Sequence, residues 1–391
     1  MIHILQPFSL AVLADSRMVI RRNESWTESD LAGKQPVRIC TSSKSNKGWF
    51  AAEDEVAILM HDGRVLAGYN RIKPGLADIS STVKDLFGAD TSNICGICIK
   101  GQSLVIWTDT AIGVIHLGLD SKVLSTYHCT LPSEIDIISI DHLYCIVKTQ
   151  DGRLFGIMHH MWTGPDASSR GIPMDLDRSE LAFHDVASIS EIHTGNSWAL
   201  LLMENGSVYG CKYNISRGTR TPFARVLFPE GETVIKIIDA GIRVVYITTA
   251  GNCYGQCVGM RSGWTKELVL VRGLEGYVEN IVAVYNGSVL VQCNTLPASK
   301  TYIIRFSTLL GQPVNIIPLP FFDGISIISV TQTQSGFTTC FVTDDGCVYW
   351  SYDIYSAKPT IRRDTFFDEN LLPIQNKAAS IRSTRSILGE P

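Results

Sequence analysis

Charge is scarce in this chain. Lys, Arg, Asp and Glu make up 18% of its 391 residues, below the usual quarter, and what is there nearly cancels, at a formal net charge of −4. Without a net basic field there is no long-range pull towards nucleic acid or an anionic membrane. No apolar run approaches the ~20 residues that a membrane-spanning helix needs. The apolar stretch from Met1 to Leu13 has no basic region ahead of it and soon meets Asp15 and Arg17, so a secretory signal is not expected.

Catalytic signatures are missing as well. There is no Gly-x-Ser-x-Gly elbow, no His-Glu-x-x-His and no phosphate loop. Carboxylates fall at Asp15, Asp62, Asp109, Asp151 and Asp345, where turns explain them, and no pair is marked out for acid–base work. The expectation is a non-catalytic protein with no cofactor and no metal.

A disulfide framework is absent too. Eleven cysteines, an odd number, are scattered mostly through apolar runs, which points to a reducing compartment, cytoplasm or nucleus. The sequons at Asn23, Asn205, Asn214 and Asn286 then read as turn residues. Cys95-Gly96-Ile97-Cys98 would need a second pair of matching spacing to hold zinc. The other close pair, Cys253 and Cys257, has the wrong spacing and lies in another repeat. Cys95 and Cys98 are therefore expected as small residues lining an inner strand.

What the chain has is glycine, 32 residues of it, and a recurring unit. A short apolar strand is followed by a break, a second apolar strand, a two-residue turn and a third strand. The clearest copy runs from Ile189 to Tyr213 around Asn205-Gly206, and others surround Asp62-Gly63, Asp151-Gly152, Ala250-Gly251 and Asp345-Gly346. Weaker copies turn at Asp15, Asp109 and Asn294. Asx-Gly between β-rich runs is a strong hairpin signal, and the type I′ turn expected there needs two residues at positive φ. The turns recur every 40–55 residues, the spacing of propeller blades with about four strands each. A pair of generic β-sandwiches would account for the strands but not for the even spacing. Short helical turns are expected at most at 76–86 and 178–184, between blades.

The stretches His193 to Gly210, Ala240 to Gly255 and Gly336 to Trp350 share a Gly ahead of an apolar run, then Gly-x-Val/Cys-Tyr. This pattern resembles the regulator of chromosome condensation repeat family. The family's following Trp-Gly-x-Asn-x-x-Gly-Gln-Leu-Gly element is eroded, with the Asn kept at Asn70 and Asn214 and a fragment at Gly255-Gln256. The resemblance implies a single closed propeller of seven blades over 1–370, whereas the eight turns count eight. It also implies that His193 bonds the backbone of a neighbouring blade. Residues 371–391 read as a tail outside the ring. The tail's Ser and Arg suit phosphorylation or docking onto an acidic groove.

The longest insertion begins Met158-His159-His160-Met161-Trp162. Its Trp and Met are residue types enriched at interfaces, so His159, His160, Met161 and Trp162 are the candidate partner contacts. The functional expectation is a scaffold or adaptor, a monomer or one subunit of a complex, that binds protein partners through its blade loops. The family resemblance also permits guanine-nucleotide exchange on a small GTPase. No exchange motif can be carried over residue by residue.

Overall fold

The Asx-Gly pairs mark the most regular part of the structure. The computed structural model describes residues within 3–365, with interruptions of which the longest are 44–53, 159–173, 176–185 and 258–267. Five turns share one hydrogen-bond pattern. The N–H of Gly63, Gly152, Gly206, Gly251 and Gly346 donates to the carbonyl three residues back, at 2.8–3.0 Å. That earlier residue (Met60, Thr149, Met203, Thr248 or Thr343) donates its own N–H to the carbonyl of the residue after the glycine. Such a loop is a type I turn closed by a left-handed residue.

Only the glycine lies at positive φ, 76° at Gly152 and 77° at Gly206, and none of the residues before it does. The expected type I′ turn is therefore corrected. Keeping the Asx residue right-handed lets its side chain accept the N–H two residues on. Asn205 Oδ1 accepts from Ser207 at 2.9 Å, and Asp345 Oδ1 accepts from Cys347 at 3.0 Å.

Among the described residues the strands form eight antiparallel sheets, within 3–28, 36–78, 96–130, 135–175, 189–226, 234–270, 278–318 and 327–363, here blades 1 to 8. Seven are four-stranded, and blade 5 carries a fifth strand. The number equals the number of turns in the sequence. In each sheet the first four strands neighbour one another in chain order, the up-and-down meander of a propeller blade, and the fifth strand of blade 5 pairs with its third. The protein is an all-β propeller in class, with one α-helix (Ser80–Phe87) and two short 3₁₀ turns (Val186–Ser188, Pro320–Phe322) among the described residues. The helix overlaps the expected 76–86 stretch and runs one residue past it; residues 178–184 lie outside the described set. No helix among the described residues is long and apolar enough to cross a membrane.

The chain divides into two compact units. One is built on Lys34–Val226 and holds blades 2 to 5; the other, on Met1–Gly33 and Leu227–Ser380, holds blades 1, 6, 7 and 8. Each core lies between neighbouring blades. Ile58, Leu104, Val147, Leu200, Tyr246 and Leu290 on the second strands are fully buried or nearly so. Strands such as Trp198–Met203 and Ser288–Cys293 are buried at every position. A strand covered on both faces needs a continuous apolar run and not an alternating one, and each such side chain contributes about 1.5–3 kcal/mol. The outermost strand of blade 3, Val123–Thr130, alternates between exposed and half-buried residues instead.

Two small-residue features complete the packing. Gly96 faces Trp107 across the ladder, and Gly195 faces Trp198, in both cases so closely that a Cβ would enter the indole. Gly113 leaves the space that the Phe87 ring of the helix occupies. Six first strands also carry a bulge at their second residue (positions 37, 136, 190, 235, 279 and 328).

Candidate functional site

Chain direction decides which loops share an end of a blade. The first strand begins, the second ends, the third begins and the fourth ends on one side, so the turn between second and third strands lies beside the connection into the next blade. Hydrogen bonds join the two. Val278 N–H donates to the Gly251 carbonyl at 3.0 Å, Gly324 N–H to Ser299 at 2.9 Å, and Leu131 N–H to Thr110 at 2.8 Å. Asn252 Oδ1 accepts the Gly276 N–H at 3.0 Å. The turn ends of blades 3 and 4, and those of blades 6, 7 and 8, are thus bonded to one another.

Large apolar side chains stand exposed on that surface in blades 6, 7 and 8. Leu227 is 75% exposed ahead of blade 6, Ile235 53% at that blade's bulge, Tyr277 54% ahead of blade 7 and Phe321 47% ahead of blade 8. The bulge accounts for Ile235: the extra residue of a bulged strand leaves the ladder and turns its side chain out. Phe321 is propped by its neighbours, with Phe322 and Tyr349 edge-on at 5.1 and 5.3 Å. Carboxylates of Glu230, Glu275, Glu279, Asp323 and Asp344 are exposed around this row, with Arg272 and Lys300 as cations and Arg362 and Arg363 at the outer strand of blade 8. Apolar anchors within a charged rim are the arrangement of an interaction surface.

The seams between blades carry the buried polar groups. In blade 4, Lys148 sits one residue before its turn and donates to the Ile189 carbonyl of blade 5 at 3.1 Å, while pairing with Asp136 at 2.8 Å. In blade 7, Gln292 holds the equivalent place and donates to the Ile325 carbonyl at 2.8 Å. Ser139 and Thr194 bridge blades 4 and 5 through their hydroxyls at 2.9 Å. Nothing in the sequence pattern pointed to the three cross-blade contacts, because each joins residues at least 33 positions apart.

The Cys95–Cys98 motif does not act as a pair. Cys95 Sγ donates to Asp109 Oδ1 at 2.9 Å, and burial followed by that bond pushes its pKa up to about 12. Cys98 instead faces Cys40 of blade 2. Among the described residues no group of three or more His, Cys, Asp and Glu could hold a metal ion. His193 is corrected: its Nε2 meets Glu191 Oε2 at 2.9 Å on its own strand, and the link to the neighbouring blade falls to Thr194. The physical reason is the two-residue period of a strand, which sets Glu191 and His193 on one face. The candidate contacts His159, His160, Met161 and Trp162 lie outside the described residues, as does the tail beyond 365.

No protein-family model matches the sequence, and no curated protein matches it. Solved structures do. Human WBSCR16 is similar at 13% identity and a TM-score of 0.46, over 69% of this chain and 82% of that one. The crystal structure of Kap60 bound to yeast RCC1 (Prp20) contains a chain similar at 8% identity and 0.46, over 72% of this chain and 76% of that chain. Kluyveromyces lactis Hsv2 is similar at 14% and 0.43, over 74% and 80%. At these identities and TM-scores the likeness assigns neither family nor activity.

Proposed function

We propose that this chain is a protein-interaction scaffold or adaptor subunit of the cytosol or nucleus, working through stable surface contact and not through turnover. The observation that carries the reading is the exposed row Leu227, Ile235, Tyr277 and Phe321 on the bonded turn ends of blades 6 to 8. A rigid sheet frame holding apolar anchors in place lowers the entropy lost when a partner binds. The insertion with His159, His160, Met161 and Trp162 is proposed as a second contact, with Trp162 as its anchor.

The test is affinity capture from cells with three baits: the native chain, a Leu227→Ser/Tyr277→Ser/Phe321→Ser variant, and a Val123→Ser/Leu124→Ser control. A partner kept by the first and third baits and lost by the second supports the reading. Partners indifferent to all three baits would remove it. With that partner in hand, Trp162→Ala should weaken binding by about 2 kcal/mol or more with the melting temperature unchanged. A packing tryptophan would lower stability by about 3–5 kcal/mol instead. Release of labelled guanine nucleotide from small GTPases, accelerated by catalytic amounts of this chain, would overturn the scaffold in favour of an exchange factor.

A further inference from the structure

The seam between blades 2 and 3 contains a thiol pair that the proposed function leaves unused. Cys40 lies in the first strand of blade 2 (Pro36–Ser43), and Cys98 in the first strand of blade 3 (Gly96–Lys100). They are 58 residues apart in the chain, yet the Cys40 thiol points at Cys98 Sγ from 3.5 Å. The Ile99 N–H donates to Cys40 Sγ at 3.4 Å. Both cysteines are half-buried, whereas Cys145 is buried.

We propose that Cys40 and Cys98 are a redox-active pair that closes to a disulfide under a two-electron oxidant, a peroxide or a small disulfide, and so staples blade 2 to blade 3. A shift of roughly 1.5 Å, shared between two side chains, brings the sulfurs to the bonding distance of ~2.0 Å. Cys95 is the nearer cysteine in sequence, but its thiol is engaged by Asp109, so the partner of Cys98 comes from the neighbouring blade.

The step balances without any group from the protein's interior. With hydrogen peroxide, the Cys40 thiolate attacks one oxygen, the O–O bond breaks, and water leaves once the second oxygen is protonated. Cys40 is then a sulfenic acid. The Cys98 sulfur attacks the Cys40 sulfur, the S–O bond breaks and a second water leaves. Two thiols and one peroxide become one disulfide and two waters, the sulfurs losing two electrons and the peroxide gaining them. The Ile99 N–H offers a donor to the Cys40 thiolate. The facing thiol and then burial hold Cys98 well above the ordinary thiol range, so the pair rests as two thiols where the surroundings are reducing.

The experiment uses the full chain, reduced, freed of reductant, exposed to hydrogen peroxide, alkylated and digested without reduction. A peptide joining Cys40 to Cys98 should appear in the native chain and in Cys95→Ser, be absent from Cys40→Ser and Cys98→Ser, and vanish on treatment with dithiothreitol. Oxidation should also raise the melting temperature of the native chain and of Cys95→Ser. A peptide joining Cys95 to Cys98 would overturn the proposal. So would Cys40 and Cys98 both recovered alkylated and unlinked from peroxide-treated protein whose circular dichroism is unchanged.

Discussion

The seam between blades 4 and 5 and the seam between blades 7 and 8 solve one problem with different chemistry. In each, the residue one place before the turn of the second strand reaches across to the start of the next blade. Lys148 brings a charge, so the seam must also supply a counter-ion, Asp136 at 2.8 Å, together with the Ile189 carbonyl. Gln292 brings no charge but both a donor and an acceptor. It gives its Nε2 to the Ile325 carbonyl at 2.8 Å and takes the Ile327 N–H on Oε1 at 3.3 Å. A buried ammonium is costly until a carboxylate meets it, whereas a buried amide is costly only until each end finds a neutral partner. The charged seam therefore depends on one residue, and the neutral seam spreads its dependence over several.

Removing the counter-ion should have the largest effect. Asp136→Ala is expected to cost about 3 kcal/mol, near the low end for breaking a buried pair, because a third of the Asp136 side chain meets solvent. Lys148→Met keeps the apolar stem without the charge and should cost less than half of that. Urea midpoints measure both, and equal losses would show that charge is not what distinguishes this seam. Gln292→Leu comes next, at about 2 kcal/mol, since it leaves the Ile325 carbonyl and the Ile327 N–H without their partner. That loss should be the same in low and high salt, while the Asp136→Ala loss should shrink as salt rises.

Smaller still is the effect expected at the glycine turns of blades 4 and 5. Gly152 and Gly206 sit at φ of 76° and 77°, where a β-branched side chain costs about 1–2 kcal/mol. Gly152→Val and Gly206→Val should both lower the melting temperature, and an unchanged melt in both would contradict the left-handed assignment. The smallest change is expected away from any seam: Tyr277→Ser should alter stability by no more than about 0.5 kcal/mol. A larger loss would mean that the exposed row holds the fold together and not a partner.

The strands and their turns were legible because they are encoded locally. Asp62-Gly63, Asp151-Gly152 and Asp345-Gly346 fall where the hairpins turn, and the continuous apolar runs between them are the strands buried on both faces. The seams were illegible because the partner of each clamp is far away in sequence. Cys98 looks paired with Cys95 and is met by Cys40; His193 looks like a cross-blade donor and is answered by Glu191 two residues earlier. The exposed row escaped notice for a related reason. Ile235 sits in an apolar run that reads as core, and only the bulge at the second position of its strand turns it outward.

Alone, the sequence determined the class of fold, the repeat length and the positions of the turns, since these follow from φ preferences and from hydrophobic runs within a few residues. Tertiary structure decided which residues meet across the blades: Lys148 with Ile189, Gln292 with Ile327, Cys40 with Cys98. Stacking brings together strands of neighbouring blades whose residues lie dozens of positions apart in the chain. At that separation neither backbone preference nor periodicity records which side chain will face which.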